Sequence, residues 1–329
     1  TFTVSESISG SCPAILSRTY SVTDSCTDVV NCTQVITIND TTPPNAPPPP
    51  ADVNVQCAAD VPAPVQLTAN DNCDGDITVS PSAVITPGNC DNQFIMVRTW
   101  TFTDDCGNSS SVSQTINVND TTPPDAPAPP ADVNVQCAAD VPPPVELTAN
   151  DNCDGDITVS PSDAVTPGSC PNNFTVTRTW TFEDLCGNTS SVSQTINVND
   201  DTAPVAPDAP ADVDVQCADD IPAPVDLTAT DNCDGDITVS PSDAVTPGSC
   251  PNNFTVTRTW TFEDACGNIS DVSQTITVDD TIAPVAPDAP ADVDVQCADD
   301  VPAPVDLTAT DNCDGDITVS PSDAVTPGS

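Results

Sequence analysis

The sequence predicts an all-β protein: a tandem array of β-sandwich domains of about 80 residues, each with two disulfides, joined by Pro-rich linkers. Three observations carry this. The cysteines recur in register: Cys57, Cys137, Cys217 and Cys297 stand 80 apart, as do Cys73, Cys153, Cys233 and Cys313, then Cys90, Cys170 and Cys250, then Cys106, Cys186 and Cys266. A fixed period with one cysteine set per unit describes a row of like domains rather than one large enzyme. Apolar residues alternate with polar ones over short runs, and no segment has a helical period. The 37 prolines gather in joints such as 120–130, which are too proline-dense for helix and stiff rather than loose.

The unit 121–200 shows the elements in order. Val133, Val135 and Cys137 make a first strand with one buried face, Val145, Leu147 and Ala149 a second, Ile157 and Val159 a third. The fourth and longest sets Phe174, Val176, Arg178, Trp180 and Phe182 on one face and Thr175, Thr177, Thr179 and Thr181 on the other. The fifth carries Val192, Ile196 and Val198. Turn residues fall at 152–155, 167–168 and 186–188. Five short strands in such a span read as a small immunoglobulin-like sandwich.

The expected domains are 41–120, 121–200 and 201–280, flanked by the second half of a repeat at 1–40 and the first part of one at 281–329. Arg18, Tyr20, Asp24 and Cys26 stand 80 before Arg98, Trp100, Asp104 and Cys106, and 323–329 matches 243–249. The chain therefore reads as a window on a longer array, with any signal peptide, sorting tail or anchor outside it. No apolar run approaches the ~18–20 residues of a membrane helix.

Charge narrows the partners. Fifty acidic residues against 4 basic ones, and no histidine, give a net charge of −46. Such a surface repels nucleic acid and anionic bilayers. Catalysis has little to work with: without histidine or lysine there is no Ser–His–Asp, Cys–His or Ser–Lys arrangement. Carboxylate pairs abound, but three tryptophans, one per unit on a core face, supply no sugar platform. The chain reads as non-enzymatic.

The run DTTPP, an early Cys, DNC, and a Thr-rich aromatic strand ending in D-x-CGN resembles the hyalin-repeat (HYR) type of immunoglobulin-like domain, over essentially the whole chain. Tandem copies this rich in Asp, Thr and Pro resemble the giant surface adhesins that Bacteroidota export by the type IX system, gliding adhesins among them. The resemblance implies an extracellular, bacterial cell-surface location, which suits cysteines held oxidised. It implies an external surface or polysaccharide as partner, contact with anchoring and motility machinery, and self-association as a further option. One departure stands out: hyalin-type repeats often place a cysteine in the last strand, and here only Cys32 does so.

Strand order suggests a disulfide scheme. Five consecutive antiparallel strands put Cys137 and Cys170 at the far end of the unit and Cys153 and Cys186 at the near end, where the joint enters. Of the three connectivities open to four cysteines, that favours Cys57–Cys90, Cys73–Cys106, Cys137–Cys170, Cys153–Cys186, Cys217–Cys250 and Cys233–Cys266, leaving Cys297 and Cys313 without partners. A zinc site has neither a CxxC pair nor histidine to build on.

The near end gathers acids: Asp71, Asp74, Asp76 and Asp104 in one unit, Asp151, Asp154, Asp156 and Asp184 in the next, Asp231, Asp234, Asp236 and Asp264 in the third, with Asn119 and Asp120 arriving from a preceding unit. Hard oxygen ligands at a junction suit calcium. Asp-Asn-x-Asp-Gly-Asp resembles loop-type calcium motifs, and Val-Asn-Asp before the joint is similar to cadherin linkers; no Glu stands at EF-hand spacing. The same run also reads as a plain DG turn with solvated acids.

The four arginines, Arg18, Arg98, Arg178 and Arg258, occupy one position per unit, two residues before the core aromatic. They are expected to pack beside that ring and pair with a carboxylate. Each joint also carries Asp-Thr followed by Thr, Ala or Ile, similar to the O-glycosylation acceptor of Bacteroidota, which marks Thr41, Thr121, Thr202 and Thr281. The function expected is the stalk or filament of a cell-surface adhesin. The alternatives are repeats that bind surface glycans weakly with avidity from repetition, through the outward Thr face, and a self-assembling sheath.

Overall fold

The computed structural model describes residues 1–326. Three strands, β1 (Phe2–Ser9), β2 (Ala14–Thr23) and β3 (Val29–Ile38), form an antiparallel sheet that ends before the first joint. The first complete repeat follows with β4 (Val53–Val55), a 3-10 turn (Ala58–Asp60), β5 (Leu67–Asp71), β6 (Gly75–Val79), β7 (Ser82–Pro87), β8 (Gln93–Thr103) and β9 (Ser109–Asn119). The pattern recurs along the chain, and the described residues contain no α-helix.

Two layers make the repeat. One is a four-stranded sheet in the order β4-β9-β8-β7; the other is the hairpin β5-β6. Alternation along β8 sends Trp100 and Phe102 inward, fully buried, onto Ala69 of the hairpin, with Leu67, Ile77, Val79 and Val112 packed around them. Ile116 and Val118 of β9 are fully buried as well. The Trp100 indole N–H donates to the Val65 carbonyl at 2.9 Å. Equivalent clusters surround Trp180 and Trp260.

The structure adds a strand to the expected five. Ser80 and Pro81 separate β6 from β7, and the chain passes there from the hairpin to the large sheet. β7 has every residue exposed, so its sequence carries no period-2 signal. The first strand runs parallel to the last, Val53 opposite Ile116 and Val55 opposite Val118. Val145, expected in the second strand, precedes Leu147–Asp151 and is exposed; its carbonyl receives the Trp180 indole at 2.8 Å.

The disulfide scheme is overturned. The bridges are Cys12–Cys106, Cys57–Cys153, Cys90–Cys186, Cys137–Cys233, Cys170–Cys266 and Cys217–Cys313. None of the expected pairs, Cys57–Cys90, Cys73–Cys106, Cys137–Cys170, Cys153–Cys186, Cys217–Cys250 or Cys233–Cys266, forms. Cys57 and Cys90 do share one end of their repeat: the Asn92 side-chain carbonyl receives the Ala58 N–H at 2.8 Å, and the Gln93 N–H reaches the Cys90 carbonyl. Both thiols, however, meet the near end of the next repeat instead of each other. Cys313 is consequently paired, while Cys26, Cys32, Cys73, Cys250 and Cys297 are free and exposed.

By packing, the chain divides into two compact units: Thr1–Pro130 with Pro144–Ser162 and Arg178–Gln194, and Ala131–Pro143 with Asp163–Thr177 and the residues from Thr195 onward. Each of the six bridges lies within one unit.

Arg18, Arg98 and Arg258 make structural contacts. Arg258 is buried and forks onto Asp243 through Nε (2.8 Å) and Nη2 (2.9 Å), while Nη1 donates to the Pro222 carbonyl. That hydrogen bonding holds the Asp243 carboxyl below the usual carboxylate range. Arg18 pairs with Glu6. Arg98 donates to the Pro62 carbonyl at 2.6 Å, but its cross-strand neighbour is Ala83 where Arg258 faces Asp243. Ala83→Asp is therefore expected to stabilise this repeat by about 0.5–1 kcal/mol, the partner carboxylate being partly solvated; the urea midpoint checks it.

Candidate functional site

The acids converge where one repeat meets the next. The hairpin turn opens with Asp151, whose Oδ1 receives the Cys153 N–H at 2.8 Å and the Asp154 N–H at 2.9 Å. Gly155 closes it at φ +77°, the left-handed region in which glycine carries no Cβ penalty. The neighbouring turn after the core strand is built on Asp184. Its Oδ1 receives the backbone N–H of Cys186 and of Asn188, each at 2.8 Å, and its Oδ2 the Asn188 amide at 2.7 Å.

The joint brings a third carboxylate. The Asp120 N–H donates to the Asn92 carbonyl of the preceding repeat at 3.0 Å, and the Asp120 carbonyl receives the Asn188 amide of the following one at 3.3 Å. Its Oδ1 receives the Thr122 N–H at 3.1 Å. Asp154 ties the two repeats together as well: Oδ1 receives the Asn92 amide at 3.1 Å and Oδ2 the Leu185 N–H at 2.8 Å. Beside these acids runs the Cys57–Cys153 bridge, with Cα atoms 5.1 Å apart.

What remains unsatisfied defines the site. Asp120 and Asp151 are 4% exposed, and the Oδ2 atom of each is buried with no hydrogen-bond partner. Asp40 with Asp71, and Asp200 with Asp231, repeat the arrangement. Each pair has ligand atoms within 4.8 Å of one another, as do those of Asp71, Asp74 and Asp104. The cysteine in each cluster is no thiolate ligand where it is bridged, as Cys153 and Cys233 are. Buried, orphaned carboxylate oxygens on a pair of neighbouring aspartates fit a hard cation, because each otherwise bears the full cost of desolvation.

Of the sequence-marked acids, Asp71, Asp74 and Asp104 come together, and Asp151, Asp154 and Asp184 occupy the same turns one repeat on, as do Asp231, Asp234 and Asp264. Asp76, Asp156 and Asp236 do not join them. They are exposed on the hairpin, where Asp76 and Asp156 accept from Asn70 and Asn150, each at 2.9 Å. Reading the sequence missed Asp40 and Asp200 as partners of Asp71 and Asp231, and it missed Asn92; the return of Asp and Asn at these positions every repeat was the available signal. Thr41, Thr121, Thr202 and Thr281 are exposed in the joints.

Electrostatics follows from the crowding. Burial pushes the Asp120 carboxyl above its usual range, opposed by the Thr122 N–H and reinforced by Asp151, Asp184 and Asp154; Asp200 is raised chiefly by burial too. A carboxyl raised in the fold holds its proton there more tightly than in the unfolded chain. Its contribution to stability is present below the ordinary value and lost as pH rises through the raised one. In chelator, the melting temperature is accordingly expected to rise as pH falls from neutral toward the ordinary carboxylate range. Below that range the curve turns over, as Asp243, held low by Arg258, is protonated. Asp120→Asn is expected to flatten the rise.

Among solved structures the chain is similar to a Ca2+-stabilized adhesin that helps an Antarctic bacterium reach out and bind ice, with 14% identity over 80% of this chain and 81% of that one and a TM-score of 0.24. It is also similar to the M60 catalytic domain with two CBM51 domains of Clostridium perfringens ZmpB, with 11% identity over 82% of this chain and 34% of that one and a TM-score of 0.17. Superpositions this distant carry no argument. No curated protein matches the sequence. The family model of the HYR-like domain with 4 cysteines matches residues 45–118, 125–198 and 205–278. With more than half of its length in three tandem copies of that domain, the chain belongs to the family of HYR-like domains with four cysteines.

Proposed function

We propose that this chain is part of the stalk of a bacterial cell-surface adhesin, with repeats at 41–120, 121–200 and 201–280 that hold a distal adhesive region away from the cell. The observation that carries the reading is the pair of disulfides crossing from one complete repeat to the next, together with the burial of Trp100, Phe102, Trp180, Phe182, Trp260 and Phe262 in the cores of their repeats. A type IX-secreted gliding adhesin of the SprB type is the specific form proposed, with an external surface or polysaccharide as the distal partner. O-linked glycans are proposed on the exposed Thr41, Thr121, Thr202 and Thr281.

Calcium is proposed at each acidic junction, held by Asp120 and Asp151 with Asp154 and Asp184 beside them, and by the equivalent residues of the other repeats. The orphaned Oδ2 atoms support it. Saturating calcium is expected to stabilise each junction by about 2.7 kcal/mol at 100-fold excess over Kd. Asp151→Asn is expected to remove one junction's share, read as melting temperature in calcium against chelator. An unchanged melting curve would leave the acids as solvated turns.

The functional test is binding of the array to surfaces and immobilised glycans, with calcium and then with chelator. No binding in either condition supports the stalk. Binding that calcium sustains would favour the second reading, in which the repeats themselves adhere, through the Thr face of the long core strand.

A further inference from the structure

We infer that the cross-joint disulfides make this array a load-bearing tether whose continuity and length do not depend on its domains staying folded. The bridges form two interleaved series. One is Cys57–Cys153, Cys137–Cys233 and Cys217–Cys313; the other is Cys12–Cys106, Cys90–Cys186 and Cys170–Cys266. Every one of these bridges except Cys12–Cys106 carries the covalent path forward 96 residues. The path then returns only from Cys153 to Cys137, or from Cys186 to Cys170, before the next bridge carries it forward again.

The net advance is one whole repeat per bridge, at the expense of that short return stretch of backbone. At ~3.5 Å per extended residue, the return of roughly 16 residues means that an unfolded repeat adds roughly 56 Å to a stretched chain in place of roughly 280 Å. In the second series the load-bearing segment is the core strand Asn173–Glu183 itself, which lies between Cys170 and Cys186. Because both series span the joint near residues 121–130, both of its bridges must break, together with the backbone, before the chain parts there. Pairing within repeats, by contrast, leaves each joint resting on a single Pro-rich strand of backbone.

The inference deepens the stalk reading, and its tests involve no adhesive partner, so each can fail alone. In the first, the whole chain is pulled by handles at its two ends, in non-reducing buffer and with reductant. The shortest covalent route between the ends uses three bridges and roughly 75 residues of backbone, so the fully stretched oxidised length is expected to be roughly a quarter of the reduced one. A ratio of roughly seven tenths, as intra-repeat pairs give, or of one, overturns the tether. In the second, a protease site inserted in the joint 121–130 is cut. One species is expected without reductant and two with it. A variant with Cys57, Cys90, Cys153 and Cys186 all replaced by Ser is expected to separate without reductant, and this mass readout holds whether or not the variant folds. Separation of the parent chain without reductant overturns the proposal.

Discussion

Removing both bridges of one joint, by changing Cys57, Cys90, Cys153 and Cys186 to Ser, is expected to lower the melting temperature of the flanking repeats by roughly 20 °C or more. The magnitude follows from loop closure. Each bridge spans 96 residues, for which the chain-entropy model assigns about 4–5 kcal/mol, with the second bridge closing a somewhat smaller loop inside the first. A small domain loses about 4–8 °C per kcal/mol. The core of a repeat is too thin to absorb that: beyond Trp100, Phe102, Ile116 and Val118, few large side chains are fully buried. Replacing only Cys90 and Cys186 is expected to cost about half as much, because Cys57–Cys153 still joins the same two repeats. Thermal melts by circular dichroism check both variants. A four-Ser variant melting within a few degrees of the parent would show that packing, not cross-linking, holds the joint.

The strands were legible because a period of two survives wherever one face is buried, as along Phe174, Val176, Arg178, Trp180 and Phe182. Ser82–Pro87 escaped notice because neither of its faces is buried. Strand order places each cysteine at one end of its repeat, yet the pairing it suggests does not form, for a reason that lies in the repeat itself. In a strictly periodic chain every cysteine has an image one repeat further on, so Cys57–Cys73 spacing and Cys57–Cys153 spacing leave the same periodic signature. Strand order says which end a thiol occupies; it does not say whether that end faces its own repeat or the next. The acidic junction was half legible. Asp-Asn-x-Asp-Gly-Asp announces itself, whereas the orphaned oxygen of Asp120 exists only once the joint folds back against Asn92 and Asn188.

Trp100→Ala is expected to destabilise its repeat by about 3–5 kcal/mol, the ordinary cost of emptying a fully buried aromatic site. The ring packs against Ala69 and Phe102, with Leu67, Ile77, Val79 and Val112 around them. With aromatics only 3% of the chain, few bulky side chains stand ready to fill the hole. Trp100→Phe keeps most of the apolar contact and loses the hydrogen bond to the Val65 carbonyl at 2.9 Å; its expected cost is about 1–2 kcal/mol. The remaining indoles make the test local. Trp180 and Trp260 sit in clusters of their own, and a disulfide transmits connection without transmitting packing. In Trp100→Ala, circular dichroism is therefore expected to show an early transition, while the tryptophan fluorescence transition stays at the parent midpoint. A single transition displaced equally in both signals would mean that the joints couple the repeats into one cooperative unit, with the acidic contacts between Asp154, Asn92 and Asp120 as the interface that does so.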